Sequence, residues 1–259
     1  MTDPMLLRVY GLAVWVAGRP LVQDLTFDLR RGEFLVILGR NGCGKSLTLH
    51  TLAGLRPVDA GQIVLEDRDL TSLPRRQIAR RLGLLAQDRE ESLSLSALES
   101  ALIGRHPHLH FWEREGARDL EIAREALRQV GLGDCGTRQV QTLSGGEQRR
   151  AAMASLLTQQ PLLYLLDEPT NHLDPHHQIQ MLQLFRKLCR GGSSVIATLH
   201  DPTLAERFAD RVLLLYGDGR YLLGPTADAL TASELSALYL TPIEVLGDAP
   251  RRAFVPACS

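Results

Sequence analysis

Short apolar runs separated by glycine-containing turns occur throughout the chain and predict its strands. The run at residues 34–38 is apolar at every position and ends in glycine, which predicts a strand buried on both faces of a parallel sheet. Similar runs predict strands at residues 6–16, 25–29, 63–65, 82–85, 162–166, 194–199, 212–216 and 221–223. Gly217-Asp218-Gly219 separates the last two runs and indicates a hairpin.

Apolar residues at helical spacing predict helices between these strands. A helical pattern follows Gly44 and stops at Gly54, and others cover residues 117–130 and 179–188. Helix dominates from about residue 92 to residue 154, whereas the segment from residue 231 onward is not assigned. Strands that alternate with helices predict an α/β fold, here interrupted by a mostly helical insertion.

The composition excludes several classes of protein. Lys and Arg number 29 and Asp and Glu 30, so the formal charge of −1 lacks the basic excess of a nucleic-acid-binding protein. No apolar run approaches the roughly 18 to 20 residues of a membrane-spanning helix, and the N-terminus does not resemble a signal peptide. The cysteines at positions 43, 135, 189 and 258 have neither metal-type nor disulfide-type spacing, which favours a reducing compartment.

A segment directly after the apolar run at 34–38 matches the phosphate-loop pattern G-x-x-x-x-G-K-[ST]. Its residues are Gly39, Arg40, Asn41, Gly42, Cys43, Gly44, Lys45 and Ser46. The glycines let backbone N–H groups surround phosphate oxygens, and the following helix adds the positive end of its dipole. Lys45 is predicted to bind the β- and γ-phosphates, and Ser46 to ligate Mg²⁺. The flanking strand and helix favour nucleotide binding over a glycine-rich turn that binds nothing.

Two carboxylates, Asp167 and Glu168, follow the apolar run at 162–166. Ligands of open parallel sheets lie beyond the carboxyl ends of the strands, where the phosphate loop also opens. Asp167 is predicted to bind Mg²⁺ directly or through water, and Glu168 to act as the base that polarises the attacking water. Because neighbouring strand residues point to opposite faces, we expect the two acids to have different roles. The alternative is a pair of solvated acids in a turn.

The segment Leu143-Ser144-Gly145-Gly146-Glu147-Gln148 precedes the acid pair, and a lone histidine, His200, follows the next predicted strand. This order of phosphate loop, LSGGE segment, acid strand and histidine resembles the ATPase subunits of ABC transporters. The resemblance extends to about residue 230 and implies that ATP is the ligand. It implies that Gln87 reaches Mg²⁺ and the attacking water while joining the helical insertion to the core. His200 corresponds to the switch histidine that contacts the γ-phosphate.

The LSGGE segment corresponds to the family signature, which contacts ATP bound to the other copy of the subunit. Ser144 can cap a helix while Gly145 and Gly146 leave N–H groups exposed, which makes an anion site. At the far end of a helical insertion this site cannot serve its own phosphate loop, so a second chain has to supply the complement. Glu147 belongs to the same contact, and Asp174 corresponds to a loop across the dimer seam.

Three positions depart from the family's pattern. The aromatic residue that stacks on adenine aligns with Val16, and the neighbouring Trp15 replaces it only if the strand shifts or bulges. Leu47 replaces a second hydroxyl residue, so only its backbone N–H is expected to reach a phosphate. Glu147 stands where many members have glutamine and adds negative charge near the nucleotide.

Cysteine and histidine side chains offer less specific signals. Cys43 lies in the phosphate loop at a helix N-terminus, where a thiol pKa tends to fall, although a small side chain that simply fits is the favoured explanation. His106, His108 and His110 alternate like metal ligands, but Pro107 between them favours a surface loop. The pair at 176–177 is predicted to lie on a helix surface near the dimer seam.

The resemblance implies a phosphate-loop NTPase core with an N-terminal antiparallel β region and a helical subdomain inserted at about residues 88–155. Residues 1–230 are expected to form the ATPase domain and residues 231–259 a C-terminal extension. Two copies would pair head to tail around two ATP molecules and bind two transmembrane permease subunits at the cytoplasmic face of the inner membrane. Substrate would come indirectly from a periplasmic or secreted binding protein.

Residues 104–108 and 200–214 are similar to the importer subfamily that handles iron–siderophore complexes, haem or cobalamin. ATP hydrolysis would then power import. Two alternatives stay open: the ATPase of an exporter or lipid transporter, and an ABC ATPase with no role in transport. Members of the last class usually carry two ATPase domains or a long coiled coil, and neither pattern occurs here.

Overall fold

The protein is represented by a computed structural model that describes residues 5–87, 94–110, 112–248 and 252–257. Its strands are β1 (Met5–Val16), β2 (Arg19–Arg30), β3 (Phe34–Leu38), β4 (Ala60–Leu65), β5 (Arg68–Asp69), β6 (Leu82–Leu85), β7 (Leu163–Leu166), β8 (Ser194–Thr198), β9 (Arg211–Leu215), β10 (Tyr221–Pro225), β11 (Ile243–Leu246) and β12 (Ala253–Pro256). Its helices are α1 (Lys45–Leu52), α2 (Arg75–Ala79), α3 (Ala97–Leu102), α4 (Ala117–Gln129), α5 (Gly145–Gln159), α6 (Pro175–Arg190), α7 (Pro202–Phe208), α8 (Thr226–Ala229) and α9 (Ala232–Tyr239). Every strand predicted from the apolar runs is present.

The central sheet has the strand order β10-β9-β3-β8-β7-β6. The strands from β9 to β6 run parallel, and β10 pairs antiparallel with β9 at the edge. Strands β3, β8, β7 and β6 are therefore neighbours with their carboxyl ends on one edge. The loops that follow these strands begin at that edge, which is where ligands of open parallel sheets bind.

A second, antiparallel sheet with the order β2-β1-β4-β5 covers one face of the central sheet. The alternation along β3 shows how the two layers pack. Leu35 and Ile37 join the hydrophobic cluster of the antiparallel sheet, whereas Phe34, Val36 and Leu38 join the cluster formed with the helices. The predicted α/β fold, with a phosphate-loop core and an N-terminal antiparallel β region, is thus confirmed.

The predicted helical insertion is present as α3, α4 and α5, which pack on one another between β6 and β7. Its predicted start at residues 88–93 lies outside the described residues. Helix α5 returns the chain to the sheet, and its last residue donates a hydrogen bond from Gln159 Nε2 to the carbonyl oxygen of Leu82 at 3.0 Å. The insertion is therefore fastened to the edge strand of the core.

Two parts of the chain differ from their predictions. Helix α6 begins at Pro175 rather than residue 179, because Asp174 caps it and accepts a hydrogen bond from the backbone N–H of His177 at 3.0 Å. The unassigned tail forms α9 and the β11–β12 hairpin, and Leu235, Leu238 and Phe254 are buried in the main hydrophobic cluster. In the ranges that the structure describes, no helix has both the length and the apolar character to cross a membrane.

Packing of the insertion depends on a glycine where two segments touch. A Cβ added at Gly104 would collide with the carbonyl oxygen of Ser155 and lie 2.8 Å from the backbone nitrogen of Gln159. We expect Gly104→Ala to lower the free energy of unfolding by about 1–3 kcal/mol, because α5 has to shift. Thermal unfolding of the full chain measures this change. Gly136→Ala is the matched control, since its Cβ would lie 3.9 Å from Leu98; equal melting temperatures for the two variants would contradict the expected collision.

Candidate functional site

The phosphate loop joins β3 to α1 and encloses its own lysine. Gly42 and Gly44 have φ angles of 78° and 102°, which side chains rarely adopt, and Gly44 caps α1. The ammonium of Lys45 donates to the carbonyl oxygens of Gly39 at 2.8 Å and Arg40 at 3.2 Å. Its positive charge is therefore held inside the loop, next to the N-terminus of α1.

The acid pair at the end of β7 is bound to β8 through a threonine that sequence reasoning did not single out. Thr198 Oγ1 accepts a hydrogen bond from the backbone N–H of Glu168 at 2.8 Å and donates to Asp167 Oδ1 at 2.7 Å. Asp167 is 1% exposed, and its other oxygen, Oδ2, has no hydrogen-bond partner among the described residues. A buried acceptor of this kind is costly unless a ligand satisfies it.

A backbone turn separates the two acids, whereas the sequence predicts that strand alternation separates them. Strand β7 ends at Leu166, so both acids lie beyond it. Glu168 has a φ of 47°, a left-handed conformation that is uncommon outside glycine. Strain of this kind persists where the surrounding structure enforces it and is frequent at functional sites.

The Glu168 carboxylate is 6% exposed and is bound by three side chains from different parts of the chain. Its Oε2 accepts from Gln87 Nε2 at 2.9 Å and from the Asn171 amide. Its Oε1 lies 2.6 Å from His200 Nε2. The structure therefore brings together the predicted residues Gln87, Glu168 and His200, and it adds Asn171, which sequence reasoning named only as part of a segment.

Arg149 is a second residue that sequence reasoning missed. From α5 its guanidinium donates to the carbonyl oxygens of Ala86 and Gln87 on one side and of Asp167 and Glu168 on the other. The helix that begins at the LSGGE segment is thereby fastened to the residues after β6 and after β7. Its position two residues after that segment was the available signal.

The phosphate loop and the segments after β6, β7 and β8 line one open cleft of about 470 Å³ at the carboxyl edge of the sheet. The cleft is lined by Asn41, Gly42, Gly44, Lys45, Ser46, Leu47, Gln87, Glu168, Asn171 and His200. A basic, glycine-rich loop therefore faces a carboxylate, an amide and an imidazole across a space open to solvent. This arrangement suits a polyphosphate bound beside a group that can accept a proton.

The LSGGE residues lie at the N-terminus of α5. Ser144 Oγ accepts from the backbone N–H of Glu147 at 3.3 Å, and Glu147 Oε2 accepts from the backbone N–H of Ser144 at 2.8 Å. This capping box holds the pKa of Glu147 below its usual range, through the backbone N–H and the hydroxyl of Ser144. A Cβ added at Gly145 would meet open space, and one at Gly146 would lie 3.1 Å from the carbonyl oxygen of His172. In this structure Glu147 closes a helix end.

Asp174 occupies the corresponding place at the start of α6. Its Oδ2 lies 2.7 Å from His177 Nδ1, and the backbone N–H of His177, followed by its side chain, lowers the pKa of the Asp174 carboxyl. The rings of His176 and His177 meet edge to face with their centroids 5.5 Å apart. Both histidines are part of the first turn of α6.

Cys43 fits the favoured explanation of a small side chain that packs into the loop, and the structure gives no support for a lowered thiol pKa. Cys43 is buried, and desolvation raises its pKa above the ordinary value, although Lys45 opposes this shift. The Sγ atom fills the space beside Gly39, and the Cβ atom packs against Gly217. The effect of burial on the thiol pKa is thus larger than that of the helix N-terminus, and Cys43 serves as a small packing residue.

Strand β1 is irregular where the adenine-stacking residue was predicted. Its pairing with β2 shifts register between Val14 and Trp15, and both Trp15 and Val16 are exposed. The backbone N–H of Trp15 donates to Asp59 at 2.9 Å. The condition for Trp15 to replace Val16 is therefore present, and the identity of the stacking residue stays a prediction.

The alternating histidines have partners in the fold. His108 Nε2 lies 2.8 Å from the carbonyl oxygen of Gln159, and His106 Nε2 lies 3.6 Å from Glu115. Arg80 donates to the carbonyl oxygen of Pro107 at 2.7 Å. This loop is thus docked against α2 and α5, and within the described ranges no group of three His, Cys, Asp or Glu side chains is arranged to hold a metal ion.

Comparisons with known proteins show the family to which this chain belongs. The sequence profile of the ABC transporter family matches residues 22–171. The chain is 38% identical to the hemin import ATP-binding protein HmuV of Rhodococcus jostii, over 93% of this chain and 82% of that protein. It is 40% identical to the protein of the same name from Deinococcus radiodurans, over 90% and 89%.

Solved structures show the same relationship. A chain from a metal-chelate type ABC transporter in an inward-facing conformation superposes with a TM-score of 0.85 and 28% identity, covering 98% of both chains. A nucleotide-free ATP-binding cassette from an ABC transporter matches with a TM-score of 0.76 and 18% identity, which supports the fold. The chain belongs to the ABC transporter family and is an ATP-binding, ATP-hydrolysing subunit.

Proposed function

We propose that this chain powers a bacterial importer of haem or a related iron chelate, as a homodimer attached to two permease subunits. The observation that carries the proposal is the cleft in which the phosphate loop faces the Glu168 carboxylate. The relatives named for hemin import and the metal-chelate transporter neighbour support the substrate class and favour import over export.

Hydrolysis in this site needs a base next to the phosphate loop, and Glu168 fits that role. Its carboxylate faces the cleft and can take a proton from a water aimed at the γ-phosphate. His200 binds the same carboxylate and can orient Glu168. It also lines the cleft in which we propose that the γ-phosphate binds. Lys45 supplies positive charge from the loop. The protein performs little covalent chemistry and acts mostly by positioning and charge stabilisation.

The residues present also fit Mg²⁺, a hard cation that prefers oxygen ligands. Ser46 and Gln87 line the cleft. The buried Oδ2 of Asp167, in the residue before Glu168, has no hydrogen-bond partner among the described residues and is a suitable acceptor. When bound, the ion would neutralise charge on the phosphate oxygens. These three residues are the ones we propose to hold it.

The position of the signature supports the proposed dimer. Ser144, Gly145 and Gly146 form the start of α5, whereas other residues line the cleft of the same chain. The helix N-terminus and the open space at Gly145 make an anion site that the ATP of a second copy can fill. We propose a head-to-tail pair in which each signature completes the other cleft, with Asp174 at the seam, and in which hydrolysis releases the closed state.

Attachment to permease subunits is supported by apolar surface on the helical insertion. Ile103 is exposed, and the side chain of Trp112 is 90% exposed. Exposed aromatic and aliphatic residues often mark protein interfaces. In this proposal the chain is a peripheral protein at the cytoplasmic face of the inner membrane, and a periplasmic or secreted binding protein delivers the substrate.

The role of Glu168 is tested by Glu168→Gln. We expect this variant to bind ATP with unchanged affinity and to lose at least about 100-fold in turnover, because a neutral amide cannot accept the proton. It should also trap an ATP-bound dimer that size-exclusion chromatography detects. Glu125→Gln, at an exposed carboxylate on α4, is the control. Wild-type turnover in Glu168→Gln would remove Glu168 from the catalytic role.

The substrate class is tested with the complete transporter. The chain is co-purified with the permease encoded beside it, reconstituted in liposomes, and assayed for ATPase activity with the neighbouring binding protein. We expect haem-loaded binding protein to stimulate turnover above the substrate-free protein. Stimulation by cobalamin or a ferric siderophore instead, with no response to haem, would reject haem as the substrate while leaving the ATPase assignment intact.

A further inference from the structure

The C-terminal segment contacts the backbone of the residue assigned here as the switch histidine. Tyr239, the last residue of α9, donates a hydrogen bond from its hydroxyl to the carbonyl oxygen of His200 at 3.1 Å. The imidazole of His200 reaches the Glu168 carboxylate at 2.6 Å. One residue is thus bound through its backbone by the tail and through its side chain by the catalytic carboxylate.

A buried ion pair fastens the same segment to the helix that follows His200. Arg252 donates from Nε and Nη2 to the two oxygens of Glu206 on α7, both at 2.8 Å. The Arg252 and Glu206 side chains are only 14% and 3% exposed. Bidentate pairs of this geometry fix orientation as well as distance, and breaking one leaves a buried charge without a partner.

Helix α7 connects these contacts to the site. It begins at Pro202, and Asp201 caps it by accepting from the backbone N–H of Thr203 at 2.7 Å. The backbone N–H of Phe254, in β12, donates to Thr203 Oγ1 at 3.3 Å. The C-terminal segment therefore binds α7 at Thr203, near its start, and at Glu206, one turn further on. Because His200 lies only two residues before α7, a shift of this short helix would also move His200.

The end of α9 carries backbone strain next to the tyrosine. Leu240 follows Tyr239 with a φ of 54°, although it is neither glycine nor asparagine, and its side chain is exposed. The left-handed conformation of Leu240 ends α9 at Tyr239, and the chain then turns toward β11. Strained residues persist where the surrounding contacts enforce them.

We propose that Tyr239 is a positioning residue for His200, and that the C-terminal segment, through Tyr239 and the Arg252–Glu206 pair, sets the alignment of the histidine on Glu168. The inference rests on the proposed role of His200 in hydrolysis. It assigns to residues 232–248 and 252–257 a function in turnover, because their hydrogen bonds described above are made to His200 and to α7. The tail then acts on the rate at which bound ATP is hydrolysed.

Tyr239→Phe tests the inference in the full-length chain, because it removes one hydroxyl and keeps the ring. We expect kcat for ATP to fall by about three- to tenfold with KM unchanged, since only the alignment of His200 is lost. Tyr221→Phe is the matched control, because the Tyr221 hydroxyl also donates to a backbone carbonyl, that of Asp24, at 3.1 Å. The control should keep wild-type kcat.

Arg252→Met provides a second variant, with Arg186→Met as its control. Arg186, on α6, makes a comparable bidentate pair with Asp210. Both changes should lower the melting temperature, but only Arg252→Met should lower kcat out of proportion to the loss of folded protein. Arg252→Lys keeps the charge without the bidentate geometry, so we expect it to recover part of the lost kcat.

The outcomes separate this inference from the proposed function. His200→Ala is measured beside the other variants. If His200→Ala is inactive while Tyr239→Phe and Arg252→Met turn over like the wild type, the tail has no positioning role and the catalytic assignment stands. If Tyr239→Phe raises KM as much as it lowers kcat, the hydroxyl is merely structural. If His200→Ala keeps full activity, the assignment of the switch histidine is wrong, and the inference falls with it.

Discussion

Glu168 lies at the carboxyl edge of the sheet and is only 6% exposed, so hydrogen-bond donors from the protein stabilise most of its negative charge. Gln87, Asn171 and His200 provide these donors from the segments after β6, β7 and β8. The Glu168 carboxylate thereby fixes the positions of three loops next to the phosphate loop. These loops lead to the helical insertion, to α6 and to α7, respectively. A change in the hydrogen bonds of the carboxylate can therefore shift all three elements.

The strand order makes this convergence possible. Because β3, β8, β7 and β6 are adjacent and parallel, the loops after them begin side by side. Two further residues connect the segments at this edge. Thr198 joins the acid pair to β8, and Arg149 joins α5 to the backbone carbonyls after β6 and to those of the acid pair itself. Helix α5 is thus hydrogen-bonded through Arg149 to the segments beside the cleft of its own chain. Its N-terminus is the part that we propose binds the ATP of a second copy. The tail adds a third connection, through α7 to His200.

Much of this arrangement could be predicted from sequence, because a phosphate loop and an acid pair after an apolar run require particular residues at fixed spacing. Thr198 could not be found in that way, since its role arises from contacts between β8 and the residues after β7, which are distant in sequence. Asn171 could not be found either, since its contact with Glu168 depends on the conformation of the turn after β7. For Cys43 the sequence offered two opposing tendencies, and burial in the folded loop raises the thiol pKa despite the nearby helix N-terminus. The start of α6 was misplaced although Asp174 and Pro175 form a recognisable cap, because its first turn is polar.

The most direct test of the shared carboxylate is a double-mutant cycle on turnover with Glu168→Gln, His200→Ala and the combined variant. If the histidine acts through the carboxylate that it binds, the combined variant hydrolyses ATP no more slowly than the slower of the two single variants. Multiplication of the two single losses in the combined variant would show that the residues act independently, and it would contradict the view that Glu168 is the centre on which the loops depend.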